Sequence, residues 1–197
     1  SILGNNFSVS TGIAMGEKIR SQEGITIILA GDGAIEEGSF HESLLLLKRL
    51  ELSALVIIEN NEWSMSTKIN ERRHSINLEK FAEASAIKYV KLSGNNPIQY
   101  IEKLDDLKQF SLKEKTPVLI EVMVTTLGSR ILKTPELPDG QLINYHAGPA
   151  PTINLEKDNP KIIDDVSDPI FVLEKQVGTK TIEEITKTLL KELNNEI

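Results

Sequence analysis

The 197-residue chain has no cysteine. Disulfides and thiolate metal sites are excluded, as suits a reducing compartment. No apolar run approaches the ~20 residues that a bilayer-spanning helix needs, and none reads as a signal peptide. A cytoplasmic location with no membrane partner is therefore expected. Basic residues are the minority, 22 Lys and Arg against 29 Asp and Glu, and the net charge is −7. That disfavours a nucleic-acid partner, because phosphate backbones bind basic surfaces. Methionine is absent from the start, Ser1-Ile2-Leu3-Gly4-Asn5-Asn6, so a fragment or a missing upstream part is expected. Apolar residues make up 40% of the chain, enough for the core of one domain, with or without a tail.

Two short, β-branched, unbroken apolar runs stand out: Ile25–Ala30 and Ala54–Ile58. Such runs mark buried parallel strands. Between them Glu37–Leu50 reads as a helix, with Phe40, Leu44, Leu47 and Leu50 on one stripe that Leu45 and Leu46 widen. Upstream, residues 1–12 read as a loop entering an apolar helix with Val9, Ile13 and Ile19. Downstream, Leu78–Ala84 reads as a helix and Ile87–Leu92 as a strand. Asn96-Pro97 opens a helix with Ile98, Ile101, Leu104 and Leu107 on one face, and Val118–Val124 is a fourth strand. The alternation predicts an α/β domain with a mostly parallel, doubly wound sheet and flanking helices over residues 1–125. Residues 126–167 read as an irregular active-site or interface loop. Residues 168–197 read as a helical segment, with a capping box at Thr181–Glu184 and Ile182, Ile185, Leu189 and Leu193 on one face.

The two apolar runs end in polar groups: Gly31-Asp32-Gly33-Ala34 after the first, Asn60-Asn61 after the second. In a parallel sheet these ends lie side by side, on the edge where such folds bind ligands. Asp32 and Asn61 offer hard oxygens suited to Mg2+, which shares its coordination with phosphates. Gly31 and Gly33 let backbone pass close to an anion, and the amides from Ala34 to Gly38 open a helix toward it. A Gly-Asp-Gly alone fits a tight turn equally well. The run Lys68–Ile76, with Arg72, Arg73 and His74, reads as a solvated loop, or as a contact to substrate or partner.

Gly31-Asp32-Gly33, residues 34–59 and then Asn60-Asn61 resemble the thiamine diphosphate signature. "GDGAIEEGSFHESL", "IIENNEWSMST" and "ILGNNFSVSTGIAMG" resemble the alpha subunit of the 2-oxo acid dehydrogenase first component, the pyruvate and branched-chain type. The likeness covers roughly residues 1–125, and "SDPI" resembles the start of that family's helix after the loop. It implies the thiamine diphosphate-binding fold, with Asp32, the Asn61 side chain and the Trp63 carbonyl as Mg2+ ligands. It implies that Gly33 and Ala34 meet the diphosphate through their amides, and that Ser1 and Leu3 lie by the aminopyrimidine. It also implies decarboxylation of a 2-oxo acid and transfer of the acyl fragment to lipoyl on an acyltransferase. The partner would be a beta-type subunit carrying the pyrimidine-binding domain, in a heterotetramer.

One departure matters. Where the family has a histidine segment after the fourth strand, this chain has Leu127-Gly128-Ser129-Arg130. His146, in "YHAGPAP", is then the candidate acid/base or phosphate ligand, and the missing histidine's role falls to His146 or to Arg130. "YHAGPAP" also resembles a transketolase segment. The alternative is thus a split transketolase-like or synthase-type subunit moving a two-carbon unit between sugars or aldehydes. A non-catalytic homologue is the third reading. His41 reads as structural, and Glu42 as structural or at an interface.

Overall fold

The computed structural model describes residues 2–21, 24–64, 67–127, 130–135, 137–143 and 161–196. The chain divides into two compact units. One holds the residues up to Ser93 together with Tyr100–Val124, and the other holds Gly94–Gln99 with the residues from Thr125 onward. No described helix is long and apolar enough to cross a membrane.

The first unit is a four-stranded, all-parallel sheet flanked by helices, as the alternation of runs predicts. Its strands are β1 (Thr26–Gly31), β2 (Ala54–Asn60), β5 (Lys88–Leu92) and β6 (Pro117–Met123), in the order β1-β2-β6-β5. The helices are α1 (Asn5–Ile19), α2 (Gly38–Arg49), α4 (Leu78–Ala84) and α5 (Pro97–Glu114). Short β3 (Trp63–Ser64) and β4 (Thr67–Lys68) pair antiparallel, and one helical turn, α3 (Ile69–Arg72), follows them.

β2 and β6 are central, which is why their apolar runs are continuous. One face packs Val56, Ile58 and Leu119 with Phe7, Phe40, Leu44 and Leu47. The other packs Leu55, Ile57, Val118 and Ile120 with Leu107. β1 differs from the expected strand buried on both faces: its burial alternates, and Ile27 and Leu29 are exposed by 55% and 58%. It lies at the sheet edge, where among the described residues only one of its faces is covered. α1 also departs from expectation. It begins at Asn5 rather than after residue 12, and it buries Phe7, Thr11 and Ala14 while Val9, Ile13 and Ile19 stay exposed. The Phe7 ring meets Phe40 edge-on, and that contact selects the buried face. For the same reason α2 buries Phe40, Ser43, Leu44 and Leu47 but leaves Leu45 and Leu46 outside.

In the second unit, residues 126–167 are not wholly irregular: β7 (Arg130–Thr134) and β8 (Leu137–Ile143) form an antiparallel pair. Pro138 and Gly140 lie inside β8, and those residue types disguise a strand as a loop. α6 (Pro169–Val177) is capped by Asp168, whose carboxylate accepts from the Ile170 amide at 2.8 Å. α7 (Thr179–Glu196) starts two residues before the expected capping box, so Thr181 lies inside the helix. Gly178, at φ 86°, ends α6 and lets the next helix begin at once.

Candidate functional site

The register of β1 against β2 builds the site. Gly31 stands opposite Glu59, so the residues that follow each strand, Asp32 on one and Asn60-Asn61 on the other, emerge together. The Asp32 amide donates to the Glu59 carbonyl at 3.2 Å and fastens the two ends. β6 joins the same edge, with Asn60 opposite Met123 and the Val124 amide donating to the Asn60 carbonyl at 3.0 Å.

Asp32 is 2% exposed, a carboxylate at the mouth of an apolar sheet. Burial pushes its pKa up, and the neighbouring Arg72 guanidinium offsets only part of that. Gly33 and Ala34 head a 3-10 turn, Ala34–Glu36, in which the Glu36 and Glu37 amides donate to the Gly33 and Ala34 carbonyls. The Gly33, Ala34 and Ile35 amides precede the first of these donors and have no acceptor within the turn. A Cβ on Gly33 would lie 2.5 Å from Ser64 Oγ, so β3 sits directly on this turn. Gly31 has open space where a Cβ would be.

The second strand end is shaped by side chains. Asn61 Oδ1 accepts from the Trp63 amide at 3.0 Å, and Asn60 Oδ1 accepts from the Glu62 amide at 2.9 Å. Asn60 Nδ2 donates to Glu121 on β6 at 2.6 Å, and the Tyr89 hydroxyl on β5 donates to the other oxygen of the same carboxylate at 2.5 Å. Burial, and then Glu121, push the Tyr89 phenol well above its usual range.

The Lys68–Ile76 run is solvated only in part: Lys68, Asn70, Glu71, His74 and Ser75 are exposed, but its two arginines turn inward. Arg72 and Arg73 are among the least exposed charged side chains of the site, at 13% and 14%. Arg72 Nη2 donates to Asp32 Oδ2 at 2.9 Å, and its Nη1 donates to Glu36. Arg73 Nε donates to Glu36 Oε1 at 2.8 Å, and its Nη2 reaches the Asp32 carbonyl at 3.5 Å. The physical reason is that a buried carboxylate needs a partner, and the α3 turn carries both guanidiniums to it. Glu36, Glu121 and Tyr89 are thus residues of this edge that motif reading passes over, while it allows Arg72 and Arg73 only as the alternative to a solvated loop. The usable signal was the double arginine a short step beyond Asn60-Asn61.

The remaining expected residues are placed as follows. Leu3 is exposed, next to Gly4, whose carbonyl accepts from Ser39 Oγ at 3.0 Å at the start of α2. Trp63 is half-buried on β3, with Lys68 Nζ 5.2 Å from its ring centroid. Ser1 and His146 lie outside the described residues, and Arg130 begins β7. His41 packs edge-on against Phe81, consistent with a structural role, and Glu42 is exposed. Among the described residues no three His, Cys, Asp or Glu side chains gather as a metal cluster. A cation at this edge would rest on one carboxylate, one carboxamide and backbone carbonyls. That hard-oxygen set suits Mg2+, and Asp32 has a second oxygen beside the one Arg72 holds.

A parallel α/β sheet with a buried carboxylate and a carboxamide at neighbouring strand ends defines a class of ligand-binding domain, the class to which nucleotide and diphosphate binders belong. The residue pattern goes further: the family model described as "Dehydrogenase E1 component" matches residues 1–127, and the chain belongs to that family. It is 28% identical over 127 residues to a pyruvate dehydrogenase E1 component subunit alpha of Acholeplasma laidlawii, covering 64% of this chain and 37% of that protein. It is likewise 28% identical over 119 residues to the mitochondrial 2-oxoisovalerate dehydrogenase subunit alpha 1 of Arabidopsis thaliana, covering 60% and 25%. The chain therefore spans about a third of the length of such relatives. In fold it is similar to a transketolase from Campylobacter jejuni, with a TM-score of 0.55 at 22% identity over 61% of this chain and 20% of that one.

Proposed function

We propose that this chain is the diphosphate-holding part of an alpha-type subunit of a thiamine diphosphate-dependent 2-oxo acid dehydrogenase. The observation that carries the reading is the register placing Asp32 and Asn61 at adjoining ends of β1 and β2, within the segment that matches the E1 family. Asp32, the Asn61 side chain and the Trp63 carbonyl would hold Mg2+. The Gly33 and Ala34 amides would meet the diphosphate, and Gly33 must stay small because Ser64 closes on it. Ser1 and Leu3 would flank the aminopyrimidine. When bound, the cofactor supplies the carbon nucleophile for decarboxylation of a 2-oxo acid, and the protein supplies position and electrostatics.

In this reading residues 1–125 are the binding core, residues 126–167 border the active site or an interface, and residues 168–197 form a helical extension. His146 or Arg130 would serve acid-base or phosphate binding from the middle segment. A beta-type subunit would bring the pyrimidine-binding domain, and a lipoyl acyltransferase would accept the acyl group. Thiamine diphosphate titrated into the chain and its partner subunit, with and without Mg2+, is the test. Metal-dependent binding that Asp32→Ala abolishes is expected. Binding that needs no metal, or that survives in the variant, overturns the site.

A further inference from the structure

Four charged groups meet over the Gly31–Gly33 turn: the carboxylates of Asp32 and Glu36 and the guanidiniums of Arg72 and Arg73. Their charges balance. Asp32 is the most buried of the four, and Arg72 stands on its Oδ2 at 2.9 Å. The segment that delivers Arg72 is seated on the turn: from the position a Gly33 Cβ would take, Ser64 Oγ is 2.5 Å away and Arg72 Nη1 is 3.7 Å away. A divalent cation choosing Asp32 as its ligand meets a guanidinium already on that carboxylate. Two cations a few ångströms apart, where water is scarce, repel strongly.

We propose that Arg72 is a built-in counter-cation for Asp32 that makes the binding of metal and of diphosphate interdependent. The inference rests on the reading of Asp32 as a metal ligand. A metal arriving alone on the second Asp32 oxygen repels Arg72 from the first and offers it no new anion. A metal arriving with a diphosphate brings an anion of more than one negative charge to the place where Arg72 and Arg73 already lie. The guanidinium fork fits phosphate oxygens in paired hydrogen bonds. Each ligand then strengthens the other by the same factor, as linkage requires. Glu36 is the hinge point of the exchange, because it holds both arginines and leaves them anchored while Arg72 changes partner.

The experiment uses the full chain, with Mn2+ in place of Mg2+ and inorganic pyrophosphate in place of the cofactor. Bound Mn2+ is read by paramagnetic resonance, for Mn2+ alone and for the preformed Mn2+–pyrophosphate complex. Emission from Trp63, the only tryptophan, is the second readout, because Trp63 pairs with Lys68 at the base of the α3 turn. Arg72→Gln is expected to bind Mn2+ alone about 5-fold tighter than wild type or better, and to bind the preformed complex more weakly. Glu36→Gln keeps Arg72 but removes one of its anions, and it should move the first affinity the other way. That exposed-side substitution carries the test should Arg72→Gln not fold. Mn2+ affinity that is unchanged or weakened in Arg72→Gln, or strengthened in Glu36→Gln, overturns the counter-cation while leaving Asp32 as a ligand. No binding of Mn2+ or its complex to wild type or either variant overturns the metal site and this inference with it.

Discussion

Gly33 is where one carbon atom matters most. Its φ of −73° is open to any residue, so what requires glycine is space rather than backbone geometry. A Cβ there would lie 2.9 Å from Ser64 Cβ as well as against its hydroxyl. Gly33→Ala should cost about 1–3 kcal/mol of stability, the usual range for overpacking. Adding Ser64→Gly should recover most of the loss, and denaturant unfolding of the two single variants and the double decides it. Strictly additive losses would show that the two positions do not touch. Glu121 is the second sensitive residue, because it accepts from both Asn60 and Tyr89. Glu121→Ala leaves both donors short of an acceptor, for about 1–3 kcal/mol. The Tyr89 phenol titrates above its usual range. Its contribution to stability is therefore complete below that range and is lost as pH rises through the raised value. Ultraviolet titration should show one tyrosine ionising last in wild type and earlier in Glu121→Ala. The shift is partial, because burial is the larger cause.

At the scale of elements, the start of α6 concentrates stability in one side chain. Asp168 is buried and accepts from the Ile162, Ile163 and Ile170 amides at 2.6, 3.1 and 2.8 Å. Asp168→Ala removes a helix cap and leaves further amides unmatched, so a loss of about 2 kcal/mol is expected in the second unit. Hydrogen exchange at α6 amides measures it, and unchanged protection would deny the cap. The same helix carries Glu174, whose carboxyl the Lys161 ammonium, at 2.7 Å, and then Thr179 hold below the usual carboxylate range. A lowered carboxyl contributes stability above that range and loses it as pH falls through the lowered value. Glu174→Gln should therefore flatten the acid limb of helix loss followed by circular dichroism. The elements themselves were largely legible in sequence. β1, β2, α4, β5 and the Asn96-Pro97 start of α5 follow from short β-branched runs and helix-start residues. The stripe of α2 was legible too, since Phe40, Leu44 and Leu47 are buried as read. The buried face of α1 was not, because that helix is apolar on more than one side and the Phe7–Phe40 contact chooses between them.

For the whole molecule, the Asp32–Asn61 cluster with Arg72, Arg73 and Glu121 belongs to the first compact unit, and Arg130 belongs to the second. On the function we propose, the residues that activate the reactive end of the cofactor would come from a beta-type subunit. The chain alone should therefore release no carbon dioxide from 2-oxo acids, and adding a beta-type subunit should restore release. Turnover by the isolated chain would show that it supplies those residues itself.

By itself the sequence determined the strand-helix-strand frame and the Asp32 and Asn61 pair, because runs of apolar residues and the polar residues ending them are local facts. Only the tertiary structure decided that β6 enters between β2 and β5, bringing Glu121 to Asn60. It alone decided that Arg72 and Arg73 face inward onto Asp32 and Glu36. Both depend on which strand ends share an edge and on the need of a buried carboxylate for a counter-charge. Residues 40 positions apart in the chain meet that need, and no local pattern records it.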